Sequence, residues 1–111
     1  MDNVLDLQAL EELREVMEDD FSLLIQTFLN DAPVRIDELK SALSAGDVLG
    51  LEKPAHTLKG SSSNIGATAL SRACAKLVDD IRAGTVENPS ADIKSIESLF
   101  ELTNSALQHY L

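Results

Sequence analysis

Apolar residues recur at the spacing of an amphipathic helix along most of the chain. In segment 6–17, DLQALEELREVM, three leucines and a methionine fall on one stripe, which predicts a short helix. A second stripe runs from about residue 21 to Gly46 and predicts the longest helix. Because a proline ring removes one helical hydrogen bond and crowds the preceding turn, we expect a kink at Pro33.

A third helix is predicted directly after this long one. Gly46 can adopt the left-handed conformation that ends a helix, and Asp47 can serve as the N-cap of the next one, so the chain should turn straight back. The helix should span about residues 47–64 and end near Gly66. It should therefore run antiparallel to its predecessor.

Two further stripes complete the predicted architecture. One precedes Gly84 and consists of Leu70, Cys74, Leu77 and Ile81. After the loop TVENPS, the other predicts a last helix from Asp92 to Tyr110. Four long helices with short connections indicate an all-α fold, an antiparallel up-down-up-down four-helix bundle, with segment 6–17 as a short extra N-terminal helix.

Composition and charge narrow the class of protein. The 111 residues, 44% of them hydrophobic, are enough for a single domain over 1–111 with its own core. The formal charge of -10 would repel a nucleic-acid backbone, and an acidic N-terminus without a long apolar run argues against a membrane partner. Cys74 has no second cysteine to pair with and lies on an apolar stripe, so we expect a core thiol in a cytoplasmic protein.

A helical wheel of the third helix separates one histidine from the core. The apolar or small residues cluster in one direction, and these are Leu51, Ala55, Leu58, Ser62 and Ile65. His56 lies about 150° from their centre, on the outer face. Residues at offsets of three, four and seven share that face, and these are Leu49, Glu52, Lys53, Lys59, Gly60 and Ser63.

These residue types suit a histidine that carries a phosphoryl group. An exposed imidazole is mostly neutral at cytoplasmic pH and keeps one nitrogen lone pair free to attack phosphorus. Lys59, or Lys53, could offset the added negative charge. Gly60 is unfavourable in mid-helix, and its missing side chain clears space for a second protein, while Ser63 could bond phosphoryl oxygens.

Pro54 lies two residues before the histidine, in the middle of the predicted helix. It removes the hydrogen bond to the carbonyl of Gly50. We therefore expect a bend or a local loosening over 50–54.

The stretch HTLKGSS followed by NIGA resembles the histidine-containing phosphotransfer (HPt) domain of bacterial two-component phosphorelays. Similarity extends to LEELREVMEDDFSLLIQTFLNDAP before it and LSRACAKLVDDIRAG after it. The resemblance implies a four-helix bundle whose histidine relays a phosphoryl group between receiver-domain aspartates. It implies His56 as the acceptor, Lys59 as the phosphate-side cation, Gly60 as the access position and Ser63 as a polar neighbour.

The resemblance also implies the partners, which are receiver domains of hybrid histidine kinases and of response regulators. The expected partner-binding residues are Leu49, Glu52, Lys53 and Asn64. No Gly-rich phosphate loop is present, so the protein should be a phosphocarrier and not an ATP-dependent kinase. We expect a monomer without a cofactor, with Mg²⁺ held by the receiver.

Other interpretations compete with the phosphocarrier. The chain could be a helical adaptor that binds a receiver or kinase through the His56 face without being phosphorylated, or a homodimerising structural bundle. Two histidines and one cysteine are a poor metal-ligand set. His109 is expected to be an ordinary surface residue, and Asp79 and Asp80 a solvated helix face, because adjacent helical residues point about 100° apart.

Overall fold

The computed structural model describes residues 4–111, and this part of the chain contains no strand. Its five α-helices are α1 (Leu7–Met17), α2 (Phe21–Ser44), α3 (Glu52–Asn64), α4 (Thr68–Ala83) and α5 (Pro89–Leu107). Short 3-10 turns lie at Glu18–Asp20, Leu49–Leu51 and Gln108–Tyr110. Helices α2 to α5 pack as a bundle in which α3 and α5 each contact both α2 and α4. The all-α bundle with an extra N-terminal helix is confirmed.

Helix α1 begins after the N-cap residue Asp6, which is hydrogen-bonded to the turn between α3 and α4. The Asp6 carboxylate accepts the Ala9 N–H at 3.1 Å, and Leu10 is fully buried. The Asp6 N–H donates to the Gly66 carbonyl at 2.8 Å, in the turn between α3 and α4. Gly66 has a φ of 75°, and an added Cβ would lie 3.3 Å from the Asp6 carbonyl oxygen. A glycine is therefore needed where α1 meets this turn.

Helix α2 supplies one wall of the core along its whole length. Its buried residues recur at helical spacing and are Phe21, Ile25, Phe28, Ala32, Ile36 and Leu39. Pro33 lies inside the helix with its ring exposed to solvent, and the helix continues through it. Pro33 therefore does not end α2, and the kink stays a prediction.

The start of α3 differs from the sequence-based prediction. Asp47 does not begin the α-helix. Its carboxylate accepts the N–H of Gly50, within the 3-10 turn Leu49–Leu51, at 2.9 Å. Pro54 is then the third residue of α3 and is buried. An N–H in the first turn has no intrahelical acceptor, so the proline is tolerated there. The irregularity over 50–54 is a change from 3-10 to α-helix.

Helices α3 and α4 make the most extensive helix–helix contact in the described chain. The inner face of α3 is buried as the wheel predicted, at Leu51, Ala55, Leu58, Ser62 and Ile65. Small side chains at this interface let the two backbones approach closely, and the Ser71 hydroxyl on α4 donates to the Lys59 carbonyl on α3 at 3.2 Å. This bond joins α4 to the backbone of α3 three residues from His56.

Helix α5 begins earlier than predicted. The Asn88 side chain accepts the Ala91 N–H at 3.1 Å, and Pro89 is the first helical residue. The prediction that this helix begins at Asp92 was wrong by three residues, because Asn-Pro within TVENPS is a cap followed by a residue that suits the first helical position. The helix ends at Leu107, before the 3-10 turn Gln108–Tyr110.

Cys74 lies in the core, where burial raises the pKa of its thiol to about 12. We expect the native protein to react with a thiol reagent such as DTNB at pH 8 at least about a hundredfold more slowly than the protein in denaturant, since labelling requires an opening of the bundle. The measurement is the rate of thionitrobenzoate release. Rapid, complete labelling under native conditions would contradict the buried position.

No helix within residues 4–111 combines the length and the apolar character that a membrane span requires.

Candidate functional site

His56 stands on the outer face of α3, exposed to solvent, as the wheel predicted. On the same helix, the side chains of Lys53, Ser63 and Asn64 are also exposed. Glu52 and Lys59 are half-buried. A helix whose inner face is packed in the core therefore presents the imidazole to solvent on its outer face.

The imidazole lines an open depression of about 550 Å³. Its walls are formed by Leu49, Glu52, Lys53, His56, Thr57 and Arg82. The depression thus brings His56 together with three of the residues predicted to bind a partner. The remaining predicted residues, which are Lys59, Gly60, Ser63 and Asn64, do not line it. Asn64 lines a separate apolar groove of about 220 Å³ between α2 and α3.

Leu49 forms the apolar rim of the depression. Its side chain is 76% exposed, at the start of the 3-10 turn that precedes α3. It therefore does not fold back onto the core. Its exposed side chain adds apolar surface to a depression that is otherwise lined by polar and charged residues.

Gly60 is open on its outer side. A Cβ added at this position would have no heavy atom within 4 Å. Packing within the chain therefore does not require a glycine here, although glycine disfavours the helix. The space beside the helix at Gly60 is free for an approaching molecule.

Arg82 was not predicted as a site residue. It lies on α4, 26 positions after His56, and its Nε donates to a carboxylate oxygen of Glu52 at 2.8 Å. A wheel of α3 alone could not find it, because its place depends on the register between two helices. Thr57 was also missed, since the wheel grouped residues only at offsets of three, four and seven.

Basic side chains surround the histidine in an otherwise acidic protein. Lys53 and Lys59 form no ion pair with any residue in 4–111, unlike Arg14, Arg35, Lys40, Lys76 and Arg82, which do. Their ammonium groups are therefore available to an incoming anion. Since the chain carries a formal charge of -10, this cluster is a local exception to the overall field.

The other sequence candidates lie away from the site. His109 is exposed in the C-terminal 3-10 turn. Asp79 is exposed, and Asp80 accepts from Lys76 at 2.9 Å, a bond that lowers the pKa of its carboxyl. Within residues 4–111, no three His, Cys, Asp or Glu side chains are grouped as metal ligands.

Fold and site together define a helical bundle that presents a solvent-exposed histidine beside cations and an open glycine. The family model for the Hpt domain matches residues 23–109. The crystal structure of histidine-containing phosphotransfer protein B (HptB) from Pseudomonas aeruginosa PAO1 is similar with a TM-score of 0.93 and 35% sequence identity, over 99% of this chain and 96% of that one. A comparison with curated proteins found no match. The chain belongs to the Hpt domain family.

Proposed function

We propose that this protein is a phosphocarrier in a phosphorelay, in which His56 accepts a phosphoryl group from a receiver-domain aspartate and passes it to another. The observation that carries the proposal is the exposed imidazole on the outer face of α3 in an Hpt-family bundle, one turn from the open surface at Gly60. The receiver of a hybrid histidine kinase is the proposed donor, and that of a response regulator the proposed acceptor. The carrier is proposed to act as a cytoplasmic monomer.

The proposed chemistry is a reversible displacement at phosphorus. The lone pair of one ring nitrogen of His56 forms a P–N bond while the P–O bond to the partner's aspartate breaks, and the electron pair leaves on that carboxylate. Lys59, Lys53 and Ser63 are proposed to stabilise the phosphoryl oxygens. Most of the acceleration of phosphoryl transfer should come from positioning, because the two proteins must align the reacting atoms. We propose no cofactor for this chain, with Mg²⁺ held by the receiver.

The alternative is an adaptor that binds a receiver through the same face without accepting phosphate. Both functions use Leu49, Glu52, Lys53 and Asn64 as contact residues, so binding alone does not separate them. Covalent modification does. An adaptor stays unmodified in the presence of a phosphorylated receiver.

Incubation with phosphoramidate, a small phosphoryl donor, tests the proposal without a partner. We expect the intact mass to increase by one phosphoryl group, and we expect acid to remove it, because a P–N bond is acid-labile. A second incubation uses phosphorylated receiver domains as donors. An unchanged mass with both kinds of donor would support the adaptor instead.

Leu49→Asp should weaken binding to a receiver that exchanges phosphate with the wild type. Losing an apolar contact and introducing a charge into a buried interface should reduce the affinity at least about tenfold. The dissociation constant is measured by calorimetry. Leu102→Asp is the matched control, because Leu102 is a similarly exposed leucine, at 55%, on α5. Equal affinities of the two variants would exclude Leu49 from the interface.

A further inference from the structure

Arg82 brings a second helix to the histidine. It lines the same depression as His56 and lies on α4, while all other lining residues come from α3 and the turn before it. Its bond to Glu52 joins side chains that are 54% and 37% exposed. An ion pair so accessible to water contributes little to stability. Its position beside the histidine therefore suggests a role other than holding the fold.

Most of the hydrogen-bonding capacity of Arg82 is unused. Only Nε is engaged, by Glu52, and the two terminal nitrogens have no acceptor within residues 4–111. A guanidinium presents its donors as a planar fork that matches the oxygens of a phosphoryl group. Arg82 can thus offer bonds to an anion in the depression.

Phosphorylation would invert the charge balance of the depression. Lys53 and Arg82 contribute two positive charges against one negative charge on Glu52, which leaves one positive charge when the imidazole is neutral. A phosphoryl group adds roughly -1.5 to -2. The local sum then becomes negative, and two anions, the phosphoryl group and Glu52, share the cations Lys53 and Arg82. Lys59, one turn along α3, adds the other nearby cation.

We propose that Arg82 is a phosphate-binding residue that exchanges Glu52 for the phosphoryl oxygens when His56 is phosphorylated, and that Glu52 is the competing anion. The inference rests on the proposed function. It assigns Glu52 a role inside the chain in addition to any contact with a partner. The unphosphorylated protein holds Arg82 in place with Glu52, so the cation is already beside the site when the phosphoryl group arrives.

The quantity to measure is the pKa of the second ionisation of the phosphoryl group. It is obtained from ³¹P NMR spectra of the phosphoramidate-treated protein as the pH is lowered from 9. Removing a nearby cation raises that pKa, and removing a nearby anion lowers it. We expect Arg82→Gln to raise it by about 0.3 to 0.7 units and Glu52→Gln to lower it by a similar amount. Arg82→Lys should restore part of the wild-type value.

Two comparisons separate exchange from a structural ion pair. A fixed ion pair beside the phosphoryl group would also shift the titration in opposite directions in the two single variants, but its shifts would add in the double variant. With exchange, Arg82→Gln has a larger effect in the Glu52→Gln background, where no carboxylate competes for the guanidinium. Lys76→Gln is the matched control, since it removes a cation from α4 that pairs with Asp80 and faces charges at the α5 side. It should leave the titration unchanged.

The outcomes for this inference and for the proposed function are distinguishable. Wild-type protein that takes up one phosphoryl group, with the same titration in Arg82→Gln and Glu52→Gln, would overturn the exchange and leave the relay intact. Shifts of equal sign in the two variants, or shifts that simply add in the double variant, would also overturn it. Wild-type protein that takes up no phosphoryl group would overturn the relay and the exchange together.

Discussion

We expect His56→Gln to abolish phosphoryl acceptance and to leave the bundle folded. Glutamine keeps a polar side chain of similar length but has no nucleophilic ring nitrogen, so no P–N bond can form. Because the imidazole is exposed and forms no hydrogen bond within the described chain, the free energy of unfolding should change by less than about 0.5 kcal/mol. Intact-mass measurement after phosphoramidate treatment and urea denaturation are the two assays.

His109→Gln is the matched control for this experiment. It removes the other histidine of the chain, which is also exposed, and should retain one acid-labile phosphoryl group per molecule. If His56→Gln were modified as fully as the wild type, His56 would not be the acceptor. Loss of the label in His109→Gln would transfer the assignment to the C-terminal turn.

Gly60→Gln should separate the chemistry from the docking of a partner. A Cβ at this open position has no heavy atom within 4 Å, and replacing a mid-helix glycine should stabilise the protein by roughly 0.5 kcal/mol or more. It would, however, occupy the surface that a receiver must approach. We expect transfer from a phosphorylated receiver to fall by about a hundredfold, since small displacements of reacting groups have effects of this size.

The small donor provides the control, because phosphoramidate needs little room. Its reaction with Gly60→Gln should match that of the wild type, and Gly60→Ala should show an intermediate loss with the receiver. The rates are followed by loss of the label from the receiver on gels, and stability by thermal unfolding. A Gly60→Gln protein that is more stable and accepts phosphate from a receiver at the wild-type rate would remove Gly60 from the interface.

The sequence predicted those features that depend on the periodicity within one helix. The wheel placed Leu58 and Ser62 inside and His56 outside, because each position follows from 100° steps along α3 alone. The long α2 and its antiparallel return also followed from local signals, namely an apolar stripe and the glycine at Gly46. Such features need no knowledge of what packs against the helix.

Features that depend on geometry between elements were not predicted. Arg82 reaches Glu52 only because α3 and α4 have a particular register, which a single stripe does not encode. The start of α3 was predicted too early because Asp47 is a residue type typical of an N-cap, whereas a 3-10 turn with the buried Leu51 lies between Asp47 and the α-helix. The sequence predicted a bend at Pro54 because the helix was expected to begin at Asp47, which would place the proline in its interior.

The backbone hydrogen bond between Asp6 and Gly66, which joins α1 to the α3–α4 turn, determines which positions can change in related sequences. The bond from the Asp6 N–H to the Gly66 carbonyl joins backbone atoms, so replacements at residue 6 other than proline keep it, although those without an acceptor oxygen lose the cap on the Ala9 N–H. Replacements at Gly66 would strain the backbone and crowd the Asp6 carbonyl oxygen. Mutational drift should therefore be broadly tolerated along the exposed face of α1 and poorly tolerated at one buried glycine. That glycine secures an appended helix that lies outside the matched Hpt segment.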